Sequence, residues 1–183
     1  MSRLAKKPLI IPPNVKISIE NNGNFYNIEA KGPKGTMTKT IRNFVDIKQN
    51  GSNLIFEYKG NDNSKKAMLG TTIRIISSMI EGVSNGYTKT LNLFGVGYKA
   101  VLKGKNIEFE IGLSHPVIYT LPSSVDVKIE QTKLVFSSCD KEILGLTVQK
   151  IRKLKKPDVY RGKGFRFEGE NPVRKTGKKA TGK

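Results

Sequence analysis

The sequence is poor in the residues that carry most enzyme chemistry. It has one histidine, one cysteine and no tryptophan. A lone Cys139 rules out an internal disulfide, so nothing in the chain argues for an oxidising compartment. A lone histidine cannot build a His-rich metal site, and Pro116 directly after His115 places that dipeptide at a turn or strand end. Pairing His115 with Cys139 as base and nucleophile has no local support, and Cys139 reads better as a small residue near a helix start. Acidic residues are scarce too, 15 Asp and Glu against 33 Lys and Arg, and no acidic pair stands out. No catalytic residue, metal ligand or cofactor is therefore expected. No apolar run approaches the roughly 20 residues that a bilayer span needs. After the basic opening Met1–Pro8, only Leu9-Ile10-Ile11 precedes Pro12-Pro13, which is too short for a signal peptide. These absences point to a soluble intracellular protein without a reaction centre.

What the chain has in excess is positive charge, a formal +18 over 183 residues. Such an excess opposes compaction and favours a polyanionic partner, nucleic acid first and an acidic membrane surface second. Half of it sits in residues 152–183, where twelve Lys and Arg face only Asp158, Glu168 and Glu170. Glu168 and Glu170 are expected to temper that charge or to pair with an arginine.

Within this segment, Pro157-Asp158-Val159-Tyr160-Arg161-Gly162-Lys163-Gly164-Phe165-Arg166-Phe167 interleaves three ingredients. Basic side chains suit phosphates, aromatic faces suit sugars and bases, and glycines let a backbone come close to a ligand. The expected assignment has Lys155, Lys156, Arg161, Lys163 and Arg166 on phosphates. Tyr160 and Phe165 would pack on sugars or bases, and Gly162 and Gly164 would permit close approach. Arg174, Lys175, Lys178 and Lys179 extend the same surface. The last dozen residues are expected to order only on binding, because Arg174-Lys175-Thr176-Gly177-Lys178-Lys179 has nothing to bury. The competing assignment is a Gly-rich loop whose aromatics pack on the body while its charges face water.

The rest of the chain reads as one structural plan used twice. Val15–Ile19 alternates as a half-buried strand, Asn21–Asn24 is turn chemistry, and Phe25–Ala30 returns. Thr36–Ile41 follows a second turn, then Val45–Lys48 and Leu54–Tyr58 flank Asn50-Gly51-Ser52-Asn53 as a hairpin. A helix capped by Asp62, Asn63 or Ser64 carries Leu69, Ile73, Ile76 and Ile80 at helical spacing and is expected to end at Gly82. After a short bridge, Tyr98–Leu102 and Ile107–Ile111 form another hairpin. Val125-Asp126-Val127-Lys128 and Leu134-Val135-Phe136 then repeat Val45-Asp46-Ile47-Lys48 and Leu54-Ile55-Phe56 with one constant offset. Leu144–Val148 repeats Leu69–Ile73 with a shorter one, inside a second helix over about 140–154. Matched blocks in the same order mark a duplicated, strand-rich unit closed by one helix. Gly95-Val96-Gly97-Tyr98-Lys99-Ala100 fits the G-x-G-x-x-A dinucleotide pattern, but the residues after it alternate as a strand where the fingerprint needs a helix.

These residues together resemble the universal L-six family of large-subunit ribosomal proteins, bacterial type, over essentially the whole chain. The likeness rests on Ser2-Arg3 with Lys6-Lys7-Pro8, Gly70-Thr71-Thr72, Gly95–Ala100, and Pro157 with Tyr160–Arg166. Members often carry Lys where this chain has Arg161, and residues 168–183 follow the family loosely. The resemblance implies an α+β protein of two tandem, duplicated domains, each a small antiparallel sheet packed with one helix, plus a basic C-terminal tail. The expected boundaries are 1–82 with a basic arm 1–13, 83–153, and a tail 154–183. It also implies large-subunit rRNA as partner, bound near the sarcin–ricin loop and stalk base, with neighbouring ribosomal proteins and translational GTPases close by. Its role would be to support subunit assembly and factor docking in translation, on a cytoplasmic ribosome, an organellar one staying open. Self-oligomerisation and membrane partners are not expected. The competing classes are a nucleotide-dependent RNA-acting enzyme using Gly95–Ala100, and a nonspecific nucleic-acid or anionic-surface binder with an exposed amphipathic helix.

Overall fold

A computed structural model describes residues 7–58, 63–175 and 177, and only the helical backbone of 63–66. The chain divides into two compact units, Met1–Tyr87 with Cys139–Lys141, and Thr88–Ser138 with Glu142–Lys183. Among the described residues there are two α-helices and four small sheets.

The first unit contains β1 (Leu9–Ile10), β2 (Lys16–Asn21), β3 (Phe25–Gly32), β4 (Gly35–Arg42), β5 (Asp46–Asn50), β6 (Asn53–Glu57) and α1 (Asn63–Ser84). β2, β3 and β4 form an antiparallel meander in which Ile17 faces Ala30 and Ala30 faces Met37. The second sheet runs β1-β6-β5, with Leu9 opposite Leu54 and Phe56 opposite Ile47. The two-residue period turns Tyr26, Ile28 and Ala30 of β3, and Leu54 and Phe56 of β6, into the core. α1 adds Leu69, Ile73, Ile76, Met79, Ile80 and Val83 along one stripe.

α1 does not stop at Gly82, as expected from the sequence, but continues to Ser84. Gly82 is required inside the helix because a Cβ there would collide with the carbonyl oxygen of Cys139. The stop is Gly86, with a φ of 76° and its N–H bonded to the Gly82 carbonyl at 2.9 Å. Cys139 lies just before the second helix, half-buried, with its thiol on the Lys34 carbonyl at 2.9 Å.

β7 (Tyr87–Phe94), β8 (Lys99–Lys103), β9 (Asn106–Glu110), β10 (Val117–Thr120), β11 (Asp126–Glu130), β12 (Lys133–Ser138), α2 (Lys141–Leu154) and β13 (Gly164–Phe167) complete the chain. β8, β9 and β10 repeat the meander, with His115 in the loop before β10. The pair Val127–Phe136 between β11 and β12 repeats Ile47–Phe56 between β5 and β6. β7 takes the place of β1 in the sheet order β11-β12-β7-β13 but is four times as long. Neither β7 nor β10 was expected from the sequence. The larger departure is β13: residues 164–167, part of the expected tail, form an antiparallel strand on β7. α2 buries Leu144, Thr147, Val148 and Ile151.

Candidate nucleic-acid interface

The frame of the C-terminal segment is β13. Its alternation sends Phe165 inward opposite Leu93, fully buried, where it meets Phe109 edge-on with ring centroids 5.2 Å apart. The Phe165 N–H also bonds to the Lys155 carbonyl at 2.9 Å. Phe165 is thus a core residue with no face left for a base, which corrects its expected stacking role. Gly164 has a φ of 135°, and a Cβ there would lie 2.7 Å and 2.6 Å from the carbonyl oxygens of Lys155 and Lys156. The close approach that Gly164 allows is to its own chain, not to a ligand.

Arg166 lies on the opposite face of β13 and is only 8% exposed. Its Nε donates to the Gly162 carbonyl at 3.0 Å, and Nη2 donates to the same oxygen. The guanidinium lies over the Phe94 ring, 4.3 Å from its centroid. Phe94 faces Gly164 across the ladder, which makes it the diagonal neighbour of Arg166. Arg166, expected on a phosphate, is instead buried and engaged by a carbonyl and a ring of its own unit. Gly162, with a φ of 66°, is held by the same contact, since a Cβ there would run into the Arg166 guanidinium.

Between α2 and β13, Asp158 organises the loop. Its N–H bonds to the Lys163 carbonyl at 2.9 Å, its carbonyl accepts from Gly162 N–H at 2.8 Å, and its Oδ2 accepts from Arg161 N–H at 2.9 Å. The Arg161 amide holds the Asp158 carboxyl below the usual carboxylate range; slight burial opposes this, and the Tyr160 and Val159 amides and the Arg161 charge assist. The one acid of the loop is thus engaged by its own backbone. Its side chains point out: Val159, Tyr160 and Arg161 are exposed, Tyr160 at 57%. The Lys175 N–H bonds to the Val159 carbonyl at 2.8 Å, which brings exposed Arg174 and Lys175 back beside the loop. Lys156 is exposed, and Lys155 and Lys163 are half-buried. Lys178 and Lys179 lie outside the described residues, as does most of the segment expected to order on binding.

Side chains around the loop support the strand that follows it. Glu170 forms an ion pair with Arg152 and accepts from Phe167 N–H at 2.9 Å. The Phe167 ring lies under Arg152 at 5.1 Å and Lys89 at 5.7 Å. Glu168 meets Lys133 at 3.2 Å. Both acids temper basic charge as expected, Glu170 on an arginine. Exposed Lys153, at the end of α2, went unassigned. The composite is a basic surface on which the Tyr160 ring stands exposed, chemistry suited to phosphates and a stacked base or sugar.

The other candidates do not assemble. Gly95–Ala100 leads into strand β8, and a Cβ at Gly95 would lie 2.5 Å from the Tyr98 ring, at Gly112 3.2 Å from it. Those glycines make room for a tyrosine of their own unit. Among the described residues no three His, Cys, Asp or Glu come together as metal ligands, and no helix is long and apolar enough to cross a membrane. The apolar face of α2 is covered by the core, so it offers no amphipathic surface of the kind a lipid binder needs.

A family profile described as Ribosomal protein L6 matches residues 11–86 and again 94–168, one match per copy of the duplication. The chain is 40% identical over 180 residues to the large ribosomal subunit protein uL6 of Hydrogenobaculum sp. (strain Y04AAS1), covering 98% of this chain and 97% of that one. It is 38% identical over 180 residues to uL6 of Thioalkalivibrio sulfidiphilus, covering 98% and 99%. With uL6 of Natranaerobius thermophilus it shares 36% over 184 residues, both chains covered in full. Two profile matches on two structural copies, with relatives aligned over nearly their whole length, place the chain in the ribosomal protein L6 family.

Proposed function

We propose that this protein is a constituent of the large ribosomal subunit that binds 23S-type rRNA near the sarcin–ricin loop and stalk base. There it supports subunit assembly and the region where translational GTPases dock, beside other large-subunit proteins, on a cytoplasmic ribosome. The family is one of ribosomal proteins and not of enzymes. The observation that carries the RNA reading is the 158–163 loop, whose outward charges stand on a frame anchored by Phe165 and closed by Lys175. Lys155, Lys156, Arg161, Lys163, Arg174 and Lys175 meet phosphates and Tyr160 packs on a base or sugar. Lys178 and Lys179 join them on charge alone. Gly162, Gly164, Phe165 and Arg166 build the platform.

The test is affinity for an rRNA fragment containing the sarcin–ricin loop, measured against salt. A chain cut at Lys153 would lose β13 and with it a core phenylalanine, so the comparison is a triple variant, Lys156→Gln, Arg161→Gln and Lys175→Gln. Each phosphate contact removed flattens the plot of log affinity against log salt by about 0.7–0.9, so the triple variant should flatten it by about 2–3. Unchanged affinity and slope would move the RNA surface elsewhere on the molecule.

A further inference from the structure

We infer that Arg166 acts as a positioning residue: its guanidinium, stacked on Phe94, clamps the Gly162 carbonyl and holds the 158–163 loop in the shape that receives RNA, without touching RNA itself. For its RNA consequence this rests on the function proposed above; for the clamp it does not.

Four observations converge on it. Arg166 is buried, although an arginine kept for phosphate would keep its fork in water. Two of its nitrogens donate to one carbonyl oxygen four residues back, Gly162, which is the far end of the loop that Asp158 opens. The ring of Phe94 supplies the opposite wall at 4.3 Å, on the neighbouring strand of the same sheet. Gly162 has no side chain because the guanidinium occupies that space, and Arg174 Nε lies within 3.2 Å of the same point. The clamp thus links the sheet, through β13 and β7, to a loop otherwise tied by bonds within itself and by the Lys175 amide on the Val159 carbonyl. A flexible loop carrying Tyr160 and Arg161 would lose conformational entropy on each binding event, and prior fixation removes that cost.

Only a planar, multiply donating cation fits this geometry, so Arg166→Lys is the discriminating variant. A phosphate contact would largely survive that change, because the charge stays; a fork on a carbonyl and a stack on a ring would not. Phe94→Leu is the second variant. It leaves Arg166 in place, removes the ring it lies on, and alters a side chain that is 44% exposed, so the unit should fold.

The experiment has two readouts on the full-length protein. In the RNA-free protein, hydrogen exchange of the Arg161 and Gly162 amides, which bond to Asp158, should quicken about tenfold or more in Arg166→Lys and Phe94→Leu. Exchange at Phe165, on the Lys155 carbonyl, should stay near its original rate. Against the rRNA fragment, both variants should bind more weakly with a salt slope near that of the unaltered protein, whereas Arg161→Gln should flatten it. Unchanged exchange at Arg161 and Gly162 overturns the clamp. Unchanged RNA affinity with faster exchange overturns its role in binding. An Arg166→Gln variant that flattens the slope while the loop amides stay protected would make Arg166 a direct phosphate ligand and overturn the inference. If the unaltered protein ignores the rRNA fragment, the proposed function falls, while the exchange data still decide the clamp.

Discussion

Glycines in this chain stand at sites with opposite physical demands. Gly164 has a positive φ and carbonyl oxygens under 3 Å from where a Cβ would sit, so Gly164→Ala combines strain with a backbone clash. It should cost about 1–3 kcal/mol of stability, read from urea unfolding. Gly145 lies inside α2 with ordinary φ and open space around its missing Cβ. Gly145→Ala should raise stability by about 0.5–1 kcal/mol in the same assay, since the helix loses less backbone entropy. Both glycines were visible in the sequence, but the sign of the effect was not, because it depends on which backbone passes nearby. Asp158 makes a further prediction at this scale. Its folded-state affinity for a proton is depressed, so the loop contribution is fully present above the unfolded carboxylate range and is lost as pH falls through the folded value. Carboxyl chemical shifts should place its titration midpoint below that of an ordinary aspartate. The acid-side loosening of the Arg161 amide should vanish in Asp158→Asn.

At the scale of elements, β13 converts a charged terminal segment into part of a domain. Phe165→Ala would remove a fully buried ring from the contact with Phe109, and should cost about 3–5 kcal/mol by urea unfolding. A cost under about 1 kcal/mol would show the strand to be an accessory to the unit. Gly-Phe-Arg-Phe carries the two-residue alternation of a strand, and that signal was available. It was obscured because basic residues alternating with aromatics are equally the pattern of an RNA surface. Only the presence of β7, with Leu91 and Leu93 on its inner face, decides that Phe165 turns inward. The duplication was legible for the converse reason. Hairpin β5–β6 and hairpin β11–β12 each carry their own turn and alternation, so their registers follow from local sequence. The end of α1 was not legible, since Gly82 answers to a carbonyl more than 50 residues away and Gly86 performs the stop.

On the scale of the whole molecule, the two copies share one plan, and the second departs from it where the charge is concentrated. A long β7 in place of β1 offers an edge, β13 takes it, and the loop before β13 carries the exposed cations. The charge that suits a polyanion also repels itself in the free protein, with 33 Lys and Arg against 15 acids. Stability and binding should therefore respond in opposite directions to the triple variant Lys156→Gln, Arg161→Gln and Lys175→Gln. Lys156, Arg161 and Lys175 are exposed, and the Arg161 and Lys175 hydrogen bonds to the loop come from their backbone amides, which glutamine preserves. In urea at low salt the triple variant should unfold at the same or a slightly higher midpoint than the unaltered chain. In about 1 M salt, where the Debye length shrinks to about 3 Å, any such gain should disappear. Affinity for the rRNA fragment should meanwhile fall. A lower midpoint at both salt concentrations would mean that these side chains hold the fold together, and the division between a packed frame and a charged outer surface would have to be redrawn.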